Sequence, residues 1–271
     1  MTKSFTVVET DENCKLFQKH IDKISQWSKI WQLPLNPQKC KTVKYSTKEN
    51  LIKFNYAIDS YPLEQSDFVL DLGIIFSYNF NFSTHIAKIC SKARGTAIAI
   101  TRCFKSREPR LLCRAFKVYV RPILEYCSVI WNPLKLQDIK KIESVQRMFT
   151  KRLNGLKNKN YSERLAILDG STLELRRVKA DLVMYYKIIH GLLPVENMFN
   201  QRRLSVTRGN SLKLYINKMK TNKERFLFKN RAVNIWNSLP DFIVNASNAK
   251  SFKYHLDRLE LKFFNSCLHI K

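Results

Sequence analysis

Apolar positions recur at three- and four-residue steps over residues 11–31, where Leu16, His20, Ile21, Ile24, Trp27 and Trp31 fall on one side of an amphipathic helix that Pro34 brings to a stop. Between Cys40 and Phe76 the period shortens to two. Val43 and Tyr45, then Phe54 and Tyr56, then Phe68, Leu70 and Leu72 alternate with polar neighbours, which predicts short strands punctuated by Pro62 and Gly73. A helix and a small antiparallel sheet of this size need something further to pack upon, and unpaired strand edges favour association. Beyond Asn79 the period turns helical and stays so, with helices predicted over 82–104, 108–130, 136–153, 161–169, 172–190, 223–237 and 249–264. Pro122 should kink or break the second of these near Val120, because it donates no hydrogen bond and clashes with the preceding turn. Gly155, Gly170 and Gly191 stand where C-terminal caps fall. The fold class predicted is α+β, predominantly α-helical. The loop from Pro194 to Tyr215 shows no clear period and is the best internal boundary, which divides the chain into residues 1–78, 79–193 and 194–271.

Composition narrows the function. At 271 residues and 45% apolar content the chain can bury a sizeable core. Lys and Arg number 48 against 22 Asp and Glu, a formal charge of +26 that attracts polyanions and makes nucleic acid the first candidate partner. No window approaches the roughly 18 consecutive apolar residues of a membrane span, so no membrane partner is expected. The seven cysteines are odd in number and scattered, and no secretory leader is visible, which fits an intracellular setting, cytoplasmic or nuclear. None forms a CxxC pair, and Cys267 with His269 supplies at most two ligands where a structural zinc site needs four, so no metal and no other cofactor is expected.

The catalytic inventory is empty. Metal-dependent nucleotidyl transfer needs carboxylates that together hold two metal ions. The ten aspartates include no Asp-Asp pair, and Asp59, Asp67 and Asp71 have the surroundings of turn and strand-edge residues. Glycine-rich phosphate loops, nucleophile elbows and HExxH helices are absent from the sequence, and no small-molecule substrate is expected.

The basic inventory is full. Between Arg202 and Arg231 ten Lys or Arg face the single acid Glu224, a density suited to tracking phosphates. Tyr215, Phe226, Phe228 and Trp236 are interleaved there, although Phe226, Asn230, Val233 and Trp236 fall at helical steps and read better as core than as base-stacking rings. A second basic group, Lys140, Lys141, Arg147, Lys151, Arg152, Lys157 and Lys159, lines a helix whose opposite face is Ile139, Ile142, Val145, Phe149 and Leu153. Arg147 and Lys151 are four apart and project together. Arg176, Arg177 and Lys179 open another helix, with Glu174 placed to neutralise one arginine.

The block Tyr119-Val120-Arg121-Pro122-Ile123-Leu124-Glu125-Tyr126, followed by Trp131-Asn132-Pro133 and by Glu143, Gln146, Arg147, Phe149 and Thr150, resembles the region downstream of the palm in jockey-like non-LTR retrotransposon reverse transcriptases. Upstream, Trp27-Ser28, Trp31, Leu33, Leu35-Asn36 and Lys39-Cys40 are similar to the segment closing the palm, and Leu72-Gly73-Ile74 with Phe82 and His85 to the primer-grip hairpin and thumb start. Downstream, Arg176-Arg177, Tyr186-Lys187, Arg231 and Trp236-Asn237 with Leu239-Pro240 extend the resemblance almost to the end. It implies a palm-end remnant, a thumb-like helical bundle and a C-terminal segment in the three stretches above. In such enzymes the aspartate-pair turn precedes the first of these helices, and Met1-Thr2-Lys3 resembles the residues just after it. The chain is therefore expected to lack polymerase activity and to keep non-specific RNA or DNA binding, with Lys92, Arg94, Arg102, Arg121, Arg147, Lys151, Arg202 and Arg203 contacting the backbone. The alternative expectation is a non-enzymatic helical protein-interaction module or a non-functional remnant.

Overall fold

The computed structural model describes residues 4–46, 52, 54–133, 135–195, 198–199, 210–215, 224, 227–259 and 264. It divides into two units, Met1–His85 and Ile86–Lys271. The fold is α+β and predominantly helical, as the hydrophobic periods predict.

The first unit opens with α1 (Asp11–Ile30). Thr10 caps its start, accepting from the Asn13 amide while the Asn13 side chain accepts from the Thr10 amide. Its end closes through Gln32 in the left-handed region, with the Leu33 amide reaching back to the Ser28 carbonyl at 2.9 Å. The buried face of α1 matches the predicted one only in part: Ile21 is buried as expected, but Cys14, Ser25 and Ser28 are buried with it, whereas Leu16, Trp27 and Trp31 are exposed. The partner that α1 meets explains the difference. Gln18 brackets Ala57, donating to its carbonyl at 2.8 Å and accepting from its amide at 3.0 Å, and Ser25 donates to Asp59 at 2.8 Å. Polar groups thus seat the helix, and the apolar contribution is confined to Ile21, Tyr56 and Ile58 with Phe17, Leu35, Phe54 and Leu63 around them.

Among the described residues six strands follow: β1 (Lys41–Thr42), β2 (Ala57–Ile58), β3 (Tyr61–Pro62), β4 (Glu64–Gln65), β5 (Phe68–Asp71) and β6 (Ile74–Ser77). Instead of one antiparallel sheet they form three two-stranded ladders, and the pairing of β1 with β4 is parallel. The β2–β3 and β5–β6 hairpins each turn on two residues of positive φ, Asp59-Ser60 and Leu72-Gly73, the backbone signature of tight turns matched to strand twist. Asp59, Asp67 and Asp71 therefore stand at a turn, a strand entry and a strand end, where the sequence places them.

The second unit is a helical bundle. Helix α2 (Ser83–Cys103) buries Ile86, Cys90, Ala93, Ala97 and Ile100, a strict three- and four-residue stripe. The predicted helix over 108–130 is instead four pieces: α3 (Pro109–Ala115), a π-helical turn (Phe116–Val120), α4 (Arg121–Glu125) and α5 (Ser128–Trp131). Pro122 is the cause. Lacking an N–H for the Val118 carbonyl, it forces the ladder wider, and the Arg121 amide bonds back to Phe116. Helices α6 (Leu136–Lys151), α7 (Tyr161–Ile167) and α8 (Leu173–Ile189) fall close to the predicted spans. After α7 the left-handed cap is Asp169 and not Gly170, whose amide closes onto Leu165 at 2.8 Å. Further on, the described residues form α9 (Phe228–Arg231), α10 (Val233–Ser238), α11 (Asp241–Val244) and α12 (Ala249–Arg258). The predicted 223–237 helix is thus interrupted at Ala232, and Phe226 lies outside the described residues. One apolar cluster unites these pieces, with Leu182, Tyr185, Tyr186, Trp236, Ile243, Phe252 and Leu256 at its centre.

Candidate nucleic-acid interface

Helix α6 segregates its charges. Lys140, Lys141, Arg147 and Lys151 are all exposed, whereas its two acids, Asp138 and Glu143, are buried. An ordinary solvated helix alternates signs and pairs them four apart. Here the acids lie on the side of Ile142, Val145 and Phe149 and serve the fold. The Glu143 carboxylate accepts from the Leu173 amide at 3.0 Å, at the first turn of α8 where a negative charge is favoured, and from the Tyr161 hydroxyl. Gln146 donates to the same hydroxyl at 2.9 Å and to the Ser171 carbonyl at 2.9 Å. Burial and the Glu143 charge push the Tyr161 phenol far up, so it stays a neutral donor. With both acids withdrawn, the exposed charges on the outer face of α6 are all positive.

Two contacts organise that face. Arg94 of α2 donates to the Ser144 hydroxyl at 2.7 Å, which sets its guanidinium beside α6, one turn from Lys141 and one from Arg147. Arg147 lies over the Tyr161 ring at 4.7 Å from its centroid, so its stem is steadied while the residue remains exposed. Beyond Lys151 the stripe runs into an open cleft of about 500 Å³ lined by Lys151, Arg152, Leu153, Asn154, Gly155 and Lys157.

The structure brings Arg94, Arg147 and Lys151 together. Lys92 and Arg102 are exposed on α2. Two residues from Arg94, Lys92 stands on a different side of the helix. Arg121 is half-buried and engaged, 3.8 Å from Glu125, and burial together with the Arg176 charge pushes its pKa down. Arg202 and Arg203 lie outside the described residues, as does most of the basic run to Arg225; Cys267 and His269 lie outside them too. Of the interleaved aromatics, Trp236 is fully buried, Phe228 packs against the core and Tyr215 is exposed. The burial of Asp138 and Glu143 was missed, although a helical wheel carries the signal, since both acids fall on the apolar side of α6.

Several of the residues that carry the family resemblance hold the helical unit together, while Trp27, Trp31, Tyr119, Tyr126 and Arg147 among them are exposed. Glu125 holds Arg176, with a bond at 3.0 Å to its Nη2, and the Glu174 charge acts on the neighbouring Arg177. Asn132 accepts from Arg177 at 3.1 Å and donates to Asp181 at 3.1 Å, while Arg231 binds Asp181 through two bonds of 2.7 Å. Trp131 donates its indole N–H to Tyr126 at 2.8 Å. Arg177 is 2% exposed; its two terminal nitrogens have no hydrogen-bond partner among the described residues, and burial pushes its pKa down against the raising fields of Glu143, Glu174 and Asp181. Among the described residues no group of three or more His, Cys, Asp or Glu is placed to hold a metal ion. Among them also, no helix is long and apolar enough to cross a membrane.

Comparison with known proteins gives two partial likenesses. The chain is 28% identical over 126 residues to an uncharacterised protein of Caenorhabditis elegans, covering 45% of this chain and 64% of that one. It is 23% identical over 136 residues to a probable RNA-directed DNA polymerase from the transposon X-element of Drosophila melanogaster, covering 49% of this chain and 15% of the polymerase. The chain thus spans less than two thirds of either relative. No family model and no solved structure matches. The second likeness supports a region related to retrotransposon reverse transcriptases.

Proposed function

We propose that this chain is a reverse-transcriptase-related segment that binds the backbone of RNA or DNA non-specifically through α6 and the neighbouring part of α2, and that it carries out no polymerisation by itself. On this reading residues 79–193 form the thumb-like bundle and 194–271 the C-terminal segment of a jockey-like enzyme. The supporting observation is the charge segregation of α6, with four cations in water and both acids in the core. Among the described residues these four cations form no salt bridge, so they can exchange counterions for phosphates directly. The lack of an Asp-Asp pair in the sequence supports the second half of the reading.

The test is fluorescence anisotropy of a labelled RNA–DNA hybrid over a salt series, with heparin as competitor. Affinity should fall steeply with salt, by a slope of about 0.9 for each phosphate contacted on a B-form duplex and somewhat less on other forms. The Lys141→Ala/Arg147→Ala/Lys151→Ala variant should flatten that slope by about 2–3 and weaken low-salt binding tenfold or more, on the order of one counterion per lysine or arginine. A salt-independent affinity, or a variant that binds like the wild type, would sink the proposal.

One observation favours the second reading, a protein-interaction module. Trp27 and Trp31 are 51% and 64% exposed on α1, beside exposed Ile30 and Leu33, an apolar surface of the kind that meets other proteins. Concentration-dependent association without polyanion affinity would support that reading in place of the first.

A further inference from the structure

Helix α12 and the short α11 before it carry a second surface that the basic stripe of α6 does not include. Asn248 starts α12 by accepting from the Ser251 amide at 2.8 Å, and Phe252 and Leu256 then sink fully into the core. That fixes which side faces water. Lys250, Tyr254 and Arg258, each four residues from the next, form one exposed row at steps of about 6 Å along the axis. Lys253 is exposed beside them; among the described residues the acids near this surface are Asp257, bound by Lys179 at 3.0 Å, and Asp241, which accepts from the Ser211 amide at 2.7 Å.

The rings on this surface are in mutual contact. Phe242 of α11 meets His255 at 5.6 Å between centroids and 88° between planes, and His255 meets Tyr254 at 5.7 Å and 71°. Arg258 donates to the Tyr254 hydroxyl and lies 5.0 Å from the centre of its ring. Yet Phe242 is 64% exposed and Tyr254 55%. An aromatic pair held in place by edge contacts, wet over most of its surface and flanked by Lys250, Lys253 and Arg258, combines the two elements that hold unpaired nucleotides: π-faces for bases and cations for phosphates. Duplex offers no unstacked base to such rings, so the chemistry selects the single strand.

We propose that Phe242 and Tyr254, with Lys250 and Arg258, form a stacking site for single-stranded nucleic acid, separate from the duplex-tracking stripe of α6. The charge of the flanking residues favours a polyanion over a protein partner. The spacing of the row is comparable with the phosphate repeat of an extended strand.

The experiment measures binding of the full chain to a labelled oligothymidylate and to a duplex of the same length. Phe242→Ala/Tyr254→Ala should lose about tenfold or more on the single strand and leave duplex affinity unchanged, while Phe242→Tyr and Tyr254→Phe, which keep the rings, should bind both like the wild type. The Lys141→Ala/Arg147→Ala/Lys151→Ala variant separates the two sites. If it leaves duplex binding intact while the alanine pair still loses the single strand, the α6 reading fails and this one stands. Equal single-strand affinity of the alanine pair and the wild type overturns the proposal, as does an equal loss on duplex with the helical circular dichroism preserved. If the alanine pair dissolves a dimer and moves neither affinity, the occupant is a second copy of the chain and the proposal is likewise overturned.

Discussion

Arg231→Met is expected to destabilise the helical unit by about 3–5 kcal/mol, whereas Arg231→Met combined with Asp181→Leu should cost far less. The asymmetry follows from burial. The Arg231 side chain is 10% exposed and that of Asp181 2%, and the two meet through Nε and Nη2 at 2.7 Å each. Removing the guanidinium leaves a buried carboxylate that, among the described residues, keeps the Asn132 amide and the field of Arg177. Removing both partners in favour of apolar groups abolishes the uncompensated charge together with its attraction. Burial pushes the Asp181 carboxyl up, and Arg231 is the main influence pulling it down. In Arg231→Met the folded pKa should therefore climb further above the unfolded value. A carboxyl so shifted binds more protons folded than unfolded, and the folded state gains stability as the pH falls through its folded pKa. The single variant should thus recover part of its loss in mildly acidic buffer, and the double variant should not. Urea midpoints at two pH values, read from the buried Trp131 and Trp236, decide this; a loss below about 1 kcal/mol for the single variant would mean the pair is not desolvated as its geometry implies.

What the sequence made legible was chemistry that acts over one or two turns. Pro122 broke its helix at the expected place because the missing donor is a property of one residue. The apolar stripe of α6 was readable because Ile142, Val145, Phe149 and Leu153 repeat at a single period. On α1 the same logic found Ile21 but missed the rest of the buried face. Tryptophan outweighs serine in any count of hydrophobicity, yet Ser25 and Ser28 are among the buried positions, since Ser25 meets a turn carboxylate some thirty residues on and Ser28 the Leu33 carbonyl where the helix ends. The parallel pairing of Lys41-Thr42 with Glu64-Gln65 involves strands too short to carry a period. At the candidate site the cations were visible in composition alone. The contact of Arg94 with Ser144 was not, because it joins positions 50 residues apart. Of the residues that carry the family resemblance, Glu125, Asn132, Glu143, Gln146 and Arg231 tie helices of the bundle together, whereas Trp27, Trp31, Tyr119, Tyr126 and Arg147 are exposed.

Trp236→Ala should be the most damaging apolar truncation in the same unit, at about 3–5 kcal/mol. Trp236 is fully buried and packs near Tyr185 and Phe252, with centroids 6.2 and 5.8 Å away. Its block also clamps the segment Asn210–Leu214. The Trp236 indole donates to the Leu212 carbonyl at 2.8 Å, Asn237 accepts from the Leu214 amide at 2.8 Å and donates to its carbonyl at 2.9 Å, and Asn210 donates to the carbonyls of Trp236 and Leu239. Packing and clamping can be separated by substitution. Trp236→Phe keeps a ring in the core and loses the indole bond, for which about 1–2 kcal/mol is expected. Asn237→Ala leaves the ring and releases Leu214, so its cost should fall mainly on local opening, a process with its own free energy below that of global unfolding. Limited proteolysis near Leu214 should then quicken in Asn237→Ala at a nearly unchanged urea midpoint, while Trp236→Ala should lower the midpoint outright. Equal protease resistance of Asn237→Ala and the wild type would show that Asn210–Leu214 is held by the core alone, leaving the asparagine of the tryptophan block without the clamping part its hydrogen bonds describe.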